Sequence, residues 1–399
     1  MIVARQLWLP LVLSALGLTA LHGGVQSRHG SLLNARFPAD AEGARERVAV
    51  PSGLAEDVGT LLQDTLPEWL AEAAIPGAAV AVVDDRGIAW TMAYGSVDRA
   101  ASRPVDDETI FAIQSMSKSF TALAVLMAVQ DGLVDLDTPI AEYLPDFTVN
   151  SLYDERPERL ITLRHLLAHR AGFTHQAPFG SYYDDRNDFE RHIASISTTW
   201  LRFPVGYRPD YSNLGIDLAG YVVQARSGMP FETYVREKVL QPLGMTGTTL
   251  DMDVIEQTAN RAVGHVPYAE RVPLRIPMIP AGGVYSNVRD MARYLRFHIN
   301  AGVLNGRRVL RADLMEAMHT VQFAAPGQRS GWALGLLRDP SSDSYTVYHS
   351  GAGRGFQSDM VMYPEKHLGV VLLTNAEGHD VGQWRLRQLV QGVLDTRFG

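Results

Sequence analysis

Apolar residues recur along the chain with two different spacings, and the change from one to the other divides it. Over 54–73 they stand at Leu54, Val58, Leu61, Leu62, Leu66 and Leu70, the three-or-four spacing of one helical face. Pro76-Gly77 ends that run. The apolar stretch 78–83, the turn-forming Asp84-Asp85-Arg86-Gly87 and the resumed run 88–94 together predict a β-hairpin. Helical spacing returns over 115–130, with Phe120, Leu123, Leu126 and Met127 on one face and Gly132 placed to cap the C-terminus. From about 133 to 300, helical patches (160–168, 215–225, 231–239 and 288–299) alternate with Pro- and Gly-containing loops. Beyond them, 332–337, 344–349, 357–363 and 368–373 read as four strands, and 381–394 as a closing helix. This order predicts an α+β fold. Its terminal parts build one antiparallel sheet flanked by helices, with a mainly helical subdomain inserted at about 133–300.

The N-terminus has a separate pattern. Arg5 precedes an apolar stretch over 7–21 that contains Pro10. Such a stretch spans about 22 Å as a helix, short of the roughly 30 Å hydrocarbon core. It reads as a secretory signal over 1–27, with Val25 and Ser27 at the −3 and −1 positions of a cut. Residues 28–50 read as a polar linker and 51–399 as one folded domain. The expectation is an exported protein, periplasmic or secreted, with no stable membrane span after cleavage; an uncleaved signal would leave it anchored.

Composition narrows the chemistry. With 46% hydrophobic and 20% charged residues in 399, the chain has an ordinary globular balance. It contains no Cys, which removes disulfides, Cys-ligated metals and thiol nucleophiles. A net charge of −8 without a basic run argues against a nucleic-acid partner. Of the 36 Lys+Arg residues only Lys118, Lys238 and Lys366 are lysines.

That scarcity singles out Ser115-Met116-Ser117-Lys118. On a helix, positions i and i+3 share a face, so the Ser115 hydroxyl and the Lys118 amine can meet. An amine able to lose its proton can take one from serine, and arginine cannot. Tyr211-Ser212-Asn213 follows the loop Phe203-Pro204-Val205-Gly206; a Tyr hydroxyl can relay a proton and an Asn amide can hold a carbonyl. His349-Ser350-Gly351 closes an expected strand, whose edge could hydrogen-bond an extended substrate. There is no Gly-x-Ser-x-Gly, His-Glu-x-x-His or phosphate-loop signature. His165 and His169, four apart, lack an acidic residue between them and are read as structural, so no metal or other cofactor is expected. Arg354, Trp332 and Phe356 are candidates for the substrate pocket.

Taken in order, Ser-x-x-Lys, Tyr-Ser-Asn and His-x-Gly resemble the motifs of the penicillin-recognising serine hydrolases. That superfamily includes class C β-lactamases, D-Ala-D-Ala carboxypeptidases, D-aminopeptidases and β-lactamase-like esterases. The resemblance covers roughly 52–395 and extends to Phe111-Ala112-Ile113-Gln114, to 163–169 and to 281–286. It implies a β-lactamase/transpeptidase-like fold and an acyl-enzyme on Ser115, with Lys118 and Tyr211 sharing the proton traffic. It also implies Asn213, His349, Ser350 and Gly351 as substrate contacts, and an oxyanion hole from the N–H groups of Ser115 and Ala352. The partner is then a small-molecule or peptide substrate with an ester, D-amino-acid peptide or β-lactam carbonyl. The alternative is a degenerate module that binds penicillin or peptidoglycan without turnover. Ala112, Gln114 and His349 depart from the class C pattern, and the His form is closer to certain carboxypeptidases and D-amino-acid peptidases. A second Tyr-Ser-Asn, 285–287, follows paired glycines and is read as structural.

Overall fold

The computed structural model describes residues 53–180, 188–266, 275–341 and 344–398. The expected signal segment lies outside them. Helix α1, Leu54–Glu72, buries Leu54, Val58, Leu62, Leu66 and Leu70, as its spacing predicts. The hairpin follows as β1, Gly77–Val83, and β2, Ile88–Gly95. Next come α2, Ser117–Gln130, α3, Phe189–Ile196, α4, Asn213–Ser227, and α5, Val288–Ile299. The tail supplies β3, Gly331–Trp332, β4, Leu337–Ser341, β5, Ser344–Gly353, β6, Phe356–Tyr363, and β7, Leu368–Thr374. Helix α6, Arg387–Phe398, ends the described chain.

The seven strands form one sheet in the order β2-β1-β7-β6-β5-β4-β3. Every neighbouring pair is antiparallel. The pairing of β1 with β7, Val80 opposite Leu372, joins the first strands of the chain to the last. The helical region is therefore an insertion between β2 and β3. Because β1 is covered on both faces it reads as a continuous apolar run, not an alternating one. Ala78, Val80 and Val82 face α1 and α6; Ala79, Ala81 and Val83 face the larger core built with α2 and α5.

Two expected elements differ in detail. The run 332–337 is not one strand but the tight turn between β3 and β4. Ala333 N–H bonds Leu336 O across it, and Gly335 takes a left-handed φ of 66°. A Cβ on Gly335 would stand 2.7 Å from Lys118 O, so only glycine lets this turn lie on α2. The closing helix likewise begins as a wider π-type turn, Val381–Leu386, before α6. Among the described residues no helix is long and apolar enough to cross a membrane.

Asn375 fastens the sheet's seam. Its Oδ1 accepts Gly77 N–H at 2.7 Å, and its Nδ2 donates to Ser96 O and Val97 O at 3.1 and 3.0 Å. It is fully buried. Asn375→Ala takes this side-chain partner from Gly77 N–H and Ser96 O, while Val97 O keeps Val263 N–H, and should lower unfolding free energy by about 2–4 kcal/mol. A urea unfolding midpoint equal to the wild type would contradict that.

Candidate active site

The chain enters the site through a strained turn. Gln114, buried, has a left-handed φ of 50°, an arrangement that costs a non-Gly residue of order 1–3 kcal/mol. Ser115 then lies in the 3-10 turn Gln114–Met116, and α2 begins only at Ser117. The sequence places Ser115 in the first turn of an α-helix; the structure places it in the tighter lead-in, because Gln114 reverses the chain just before it. The i, i+3 meeting survives: Lys118 Nζ is 3.0 Å from Ser115 Oγ.

Lys118 is fully buried. Its amine also donates to Ala281 O at 2.8 Å and lies 4.9 Å from the centre of the Tyr211 ring. Among the described residues no carboxylate forms an ion pair with it. Two neutral oxygens and an aromatic face hold it.

Tyr211 is held by rings on several sides. His169, Trp332, His175 and His349 stand 4.6, 5.5, 5.6 and 6.3 Å from it, centre to centre. Ser212 caps α4 by accepting Gly215 N–H, which fixes where Tyr211 leaves the loop and Asn213 enters the helix. His169 Nδ1 accepts Ser212 N–H at 3.2 Å. Burial, helped by the Lys118 charge, holds the His169 pKa well below the ordinary histidine value, so its ring is neutral. Asn213 is buried, with Nδ2 3.3 Å from His175 Nε2.

The His-x-Gly segment runs past Ser115. Pairing of β4 with β5 stops at Leu337 opposite Tyr348, so 349–353 extends beyond it alongside the Ser115 turn. A Cβ on Gly351 would meet Ile113 O at 2.2 Å, and Ser358 Oγ bonds that same carbonyl at 2.7 Å. Glycine is what lets this strand approach. Ser350 and Ala352 alternate outward, Ala352 exposed and Ser350 half-buried. His349 is buried, and desolvation, then the Lys118 charge, lower its pKa to about 3. Its Nδ1 is 2.6 Å from Ser350 O, an acceptor, so Nδ1 carries the hydrogen and Nε2 is bare.

The structure thus brings Ser115, Lys118, Tyr211, Asn213 and the 349–352 strand together. Gln114, Ser115, Asn213, Met278 and Arg354 line a narrow cavity with room for about one water. Trp332 joins the ring cluster. Phe356 instead packs in the core against Tyr285. His165 and His169 separate, because the short helix Leu163–Leu167 has ended before His169. His165 stacks on Phe323 and bonds Thr162. The second Tyr-Ser-Asn is structural: Tyr285 is buried in a short strand, burial raises its pKa to about 12, and Asn287 caps α5. The supporting roles of His169 and His175 are not visible in sequence; their closeness to Tyr-Ser-Asn arises only when the loops fold.

A half-buried serine thus stands against a buried lysine, beside a sheet covered by helices. The family described as Beta-lactamase matches residues 62–392, and the chain belongs to that family as one of its serine hydrolases. A Beta-lactamase of Yersinia enterocolitica is 29% identical over 352 residues, 80% of this chain and 87% of that one. The octameric penicillin-binding protein homologue from Pyrococcus abyssi superposes with a TM-score of 0.73 at 25% identity, over 85% of this chain and 77% of that one. A beta-lactamase/D-alanine carboxypeptidase from Pseudomonas syringae gives 0.71 at 21% identity, over 84% and 99%. The fold is accordingly the β-lactamase/transpeptidase-like one.

The two Tyr-Ser-Asn copies are separable by mutation. Tyr211→Phe should lower turnover by about 100-fold or more, the scale of a positioned acid–base group. Tyr285→Phe should change it only a few-fold. Steady-state rates on proteins with matched thermal melts decide; a larger loss at Tyr285 would reverse the assignment.

Proposed function

We propose that this protein is an exported hydrolase that acts through an acyl-enzyme on Ser115. The observation carrying this reading is the 3.0 Å contact between Ser115 Oγ and the buried Lys118 amine, with Tyr211 beside it. Ser115 Oγ attacks the substrate carbonyl while its proton passes to Lys118 or Tyr211. The carbonyl oxygen becomes negative against the N–H groups of Ser115 and Ala352, an interaction of about 3–4 kcal/mol in such sites. The carbonyl re-forms, and the alcohol or amine leaves with a proton returned from the same pair. Water then adds to the ester on Ser115, releasing the acid and restoring the hydroxyl. Asn213 orients the substrate amide or ester.

The substrate is an ester, a D-amino-acid peptide or a β-lactam. The neutral His349 stands where class C enzymes carry a lysine, so the third motif offers no positive charge. Arg354, buried in the wall of the same cavity, is the group that could meet a substrate carboxylate. A hydrolysis panel of a p-nitrophenyl ester, a D-Ala-D-Ala peptide and a cephalosporin tests the reading. At least one should turn over, and Ser115→Ala should abolish it. Lys118→Arg should be nearly as damaging as Lys118→Ala, because arginine stays protonated. An Arg variant keeping more than about a tenth of the rate, a loss under about 1.4 kcal/mol, would make the role of Lys118 purely electrostatic. Stoichiometric labelling without turnover would instead favour the binding module.

Export rests on Arg5 and the apolar 7–21 segment. Expression with its native N-terminus should give a mature chain beginning near Arg28 outside the cytoplasm. A cytoplasmic chain retaining Met1 would contradict export.

A further inference from the structure

Two buried side chains outside the three motifs, Asp217 and His192, are tied to Lys118 through a single residue, Ala281. Asp217 lies on α4 one turn past Asn213, and His192 on α3; both are wholly inaccessible. His192 Nδ1 is 2.7 Å from Phe179 O, an acceptor, so Nδ1 carries a hydrogen. His192 Nε2 is 2.9 Å from Asp217 Oδ2. A bare nitrogen facing a bare carboxylate oxygen would set two lone pairs against each other, so one proton lies between them. The pair is net neutral whichever atom holds that proton, which makes a buried acid tolerable there.

The other Asp217 oxygen, Oδ1, accepts Ala281 N–H at 2.9 Å. Thr121 Oγ1 donates to Pro280 O at 2.7 Å. These two groups belong to one peptide unit, so that plane is clamped from both sides, by α4 and by α2. The next carbonyl along, Ala281 O, is the one that accepts Lys118 Nζ.

We propose that Asp217 is a positioning residue for Lys118, with His192 setting its orientation. It fixes the Pro280–Ala281 peptide so that Ala281 O holds the amine within reach of Ser115 Oγ. This rests on the Ser115–Lys118 reading of the site. The role needs a hydrogen-bond acceptor at Oδ1 and not a charge. Asparagine retains that acceptor, and its Nδ2 can donate to a neutral His192 Nε2. Leucine matches the volume but leaves Ala281 N–H buried without a partner.

The test is saturation kinetics of Ser115 acylation by a fluorophosphonate probe, followed by intact mass. It gives the maximal rate constant and the half-saturating concentration separately. Asp217→Leu should lower the maximal rate constant about 10- to 100-fold, the scale of a misplaced catalytic group. Half-saturation should stay within a few-fold. Asp217→Asn should keep the maximal rate constant within about five-fold of wild type, given intact positioning. Thr121→Val removes the other half of the clamp at almost no change in shape. It should slow acylation several-fold, and it carries the test if the leucine variant does not fold. Wild-type acylation by a folded Asp217→Leu or by Thr121→Val overturns the proposal and leaves the nucleophile assignment standing. An Asp217→Asn variant with a wild-type melt but a loss beyond ten-fold overturns it too, since charge would then be the cause. Wild-type protein that never acylates on Ser115 overturns the site reading and this proposal with it.

Discussion

A primary amine buried with no carboxylate partner among the described residues is the constraint around which this structure is arranged. Lys118 must find acceptors in a place water does not reach, and it finds Ser115 Oγ and Ala281 O, with the face of Tyr211 beside them. Each of those groups is fixed by a different part of the chain. Gln114 accepts an unfavourable backbone conformation to turn Ser115 toward α2. The 280–281 peptide is held from α2 and α4. Tyr211 is held by rings from three separate segments, 169–175, 332 and 349.

The sheet supplies the fixed wall of this arrangement. Because β1 pairs with β7, the first and last strand-forming segments lie side by side, and the helical insertion leaves and re-enters the same sheet. The insertion then packs on one face, while α1 and α6 cover the other. The β5 strand outruns β4 by five residues and slides past the Ser115 turn, an approach only Gly351 permits. The turn at Gly335 lies on Lys118 and Ala122 for a similar steric reason. Two glycines of the tail, Gly335 and Gly351, thus set how closely it can approach α2 and the turn that leads into it.

Much of this was legible in the chain itself, for physical reasons. Long periodic segments such as α1, α5 and the β1–β2 hairpin write their burial directly into spacing, and the structure has them where the pattern puts them. The motif residues were legible because chemistry restricts their types and local sequence restricts their placement. Tyr211, after a Pro/Gly loop, stands beside Lys118, whereas Tyr285, after paired glycines, is buried in a short strand. What was not legible depends on contacts between distant segments. The 332–337 run has strand composition but turns because it meets α2. Gln114 carries no mark of its left-handed backbone. Asp217 is a single polar residue inside a helical pattern and His192 lies in a helix, Phe189–Ile196, that the spacing did not mark; nothing local distinguishes either from a solvent-facing position. Their partners lie 64 and 13 residues away.

The central claim is that Ser115 is acylated during turnover. Mixing the protein with a p-nitrophenyl ester, quenching in acid within the first turnover and mapping peptides by mass spectrometry tests it most directly. A single acyl adduct is expected, on the peptide that carries Ser115, rising toward one per chain and decaying as water completes the cycle. Turnover with no adduct at any time, or an adduct confined to another residue, would contradict it.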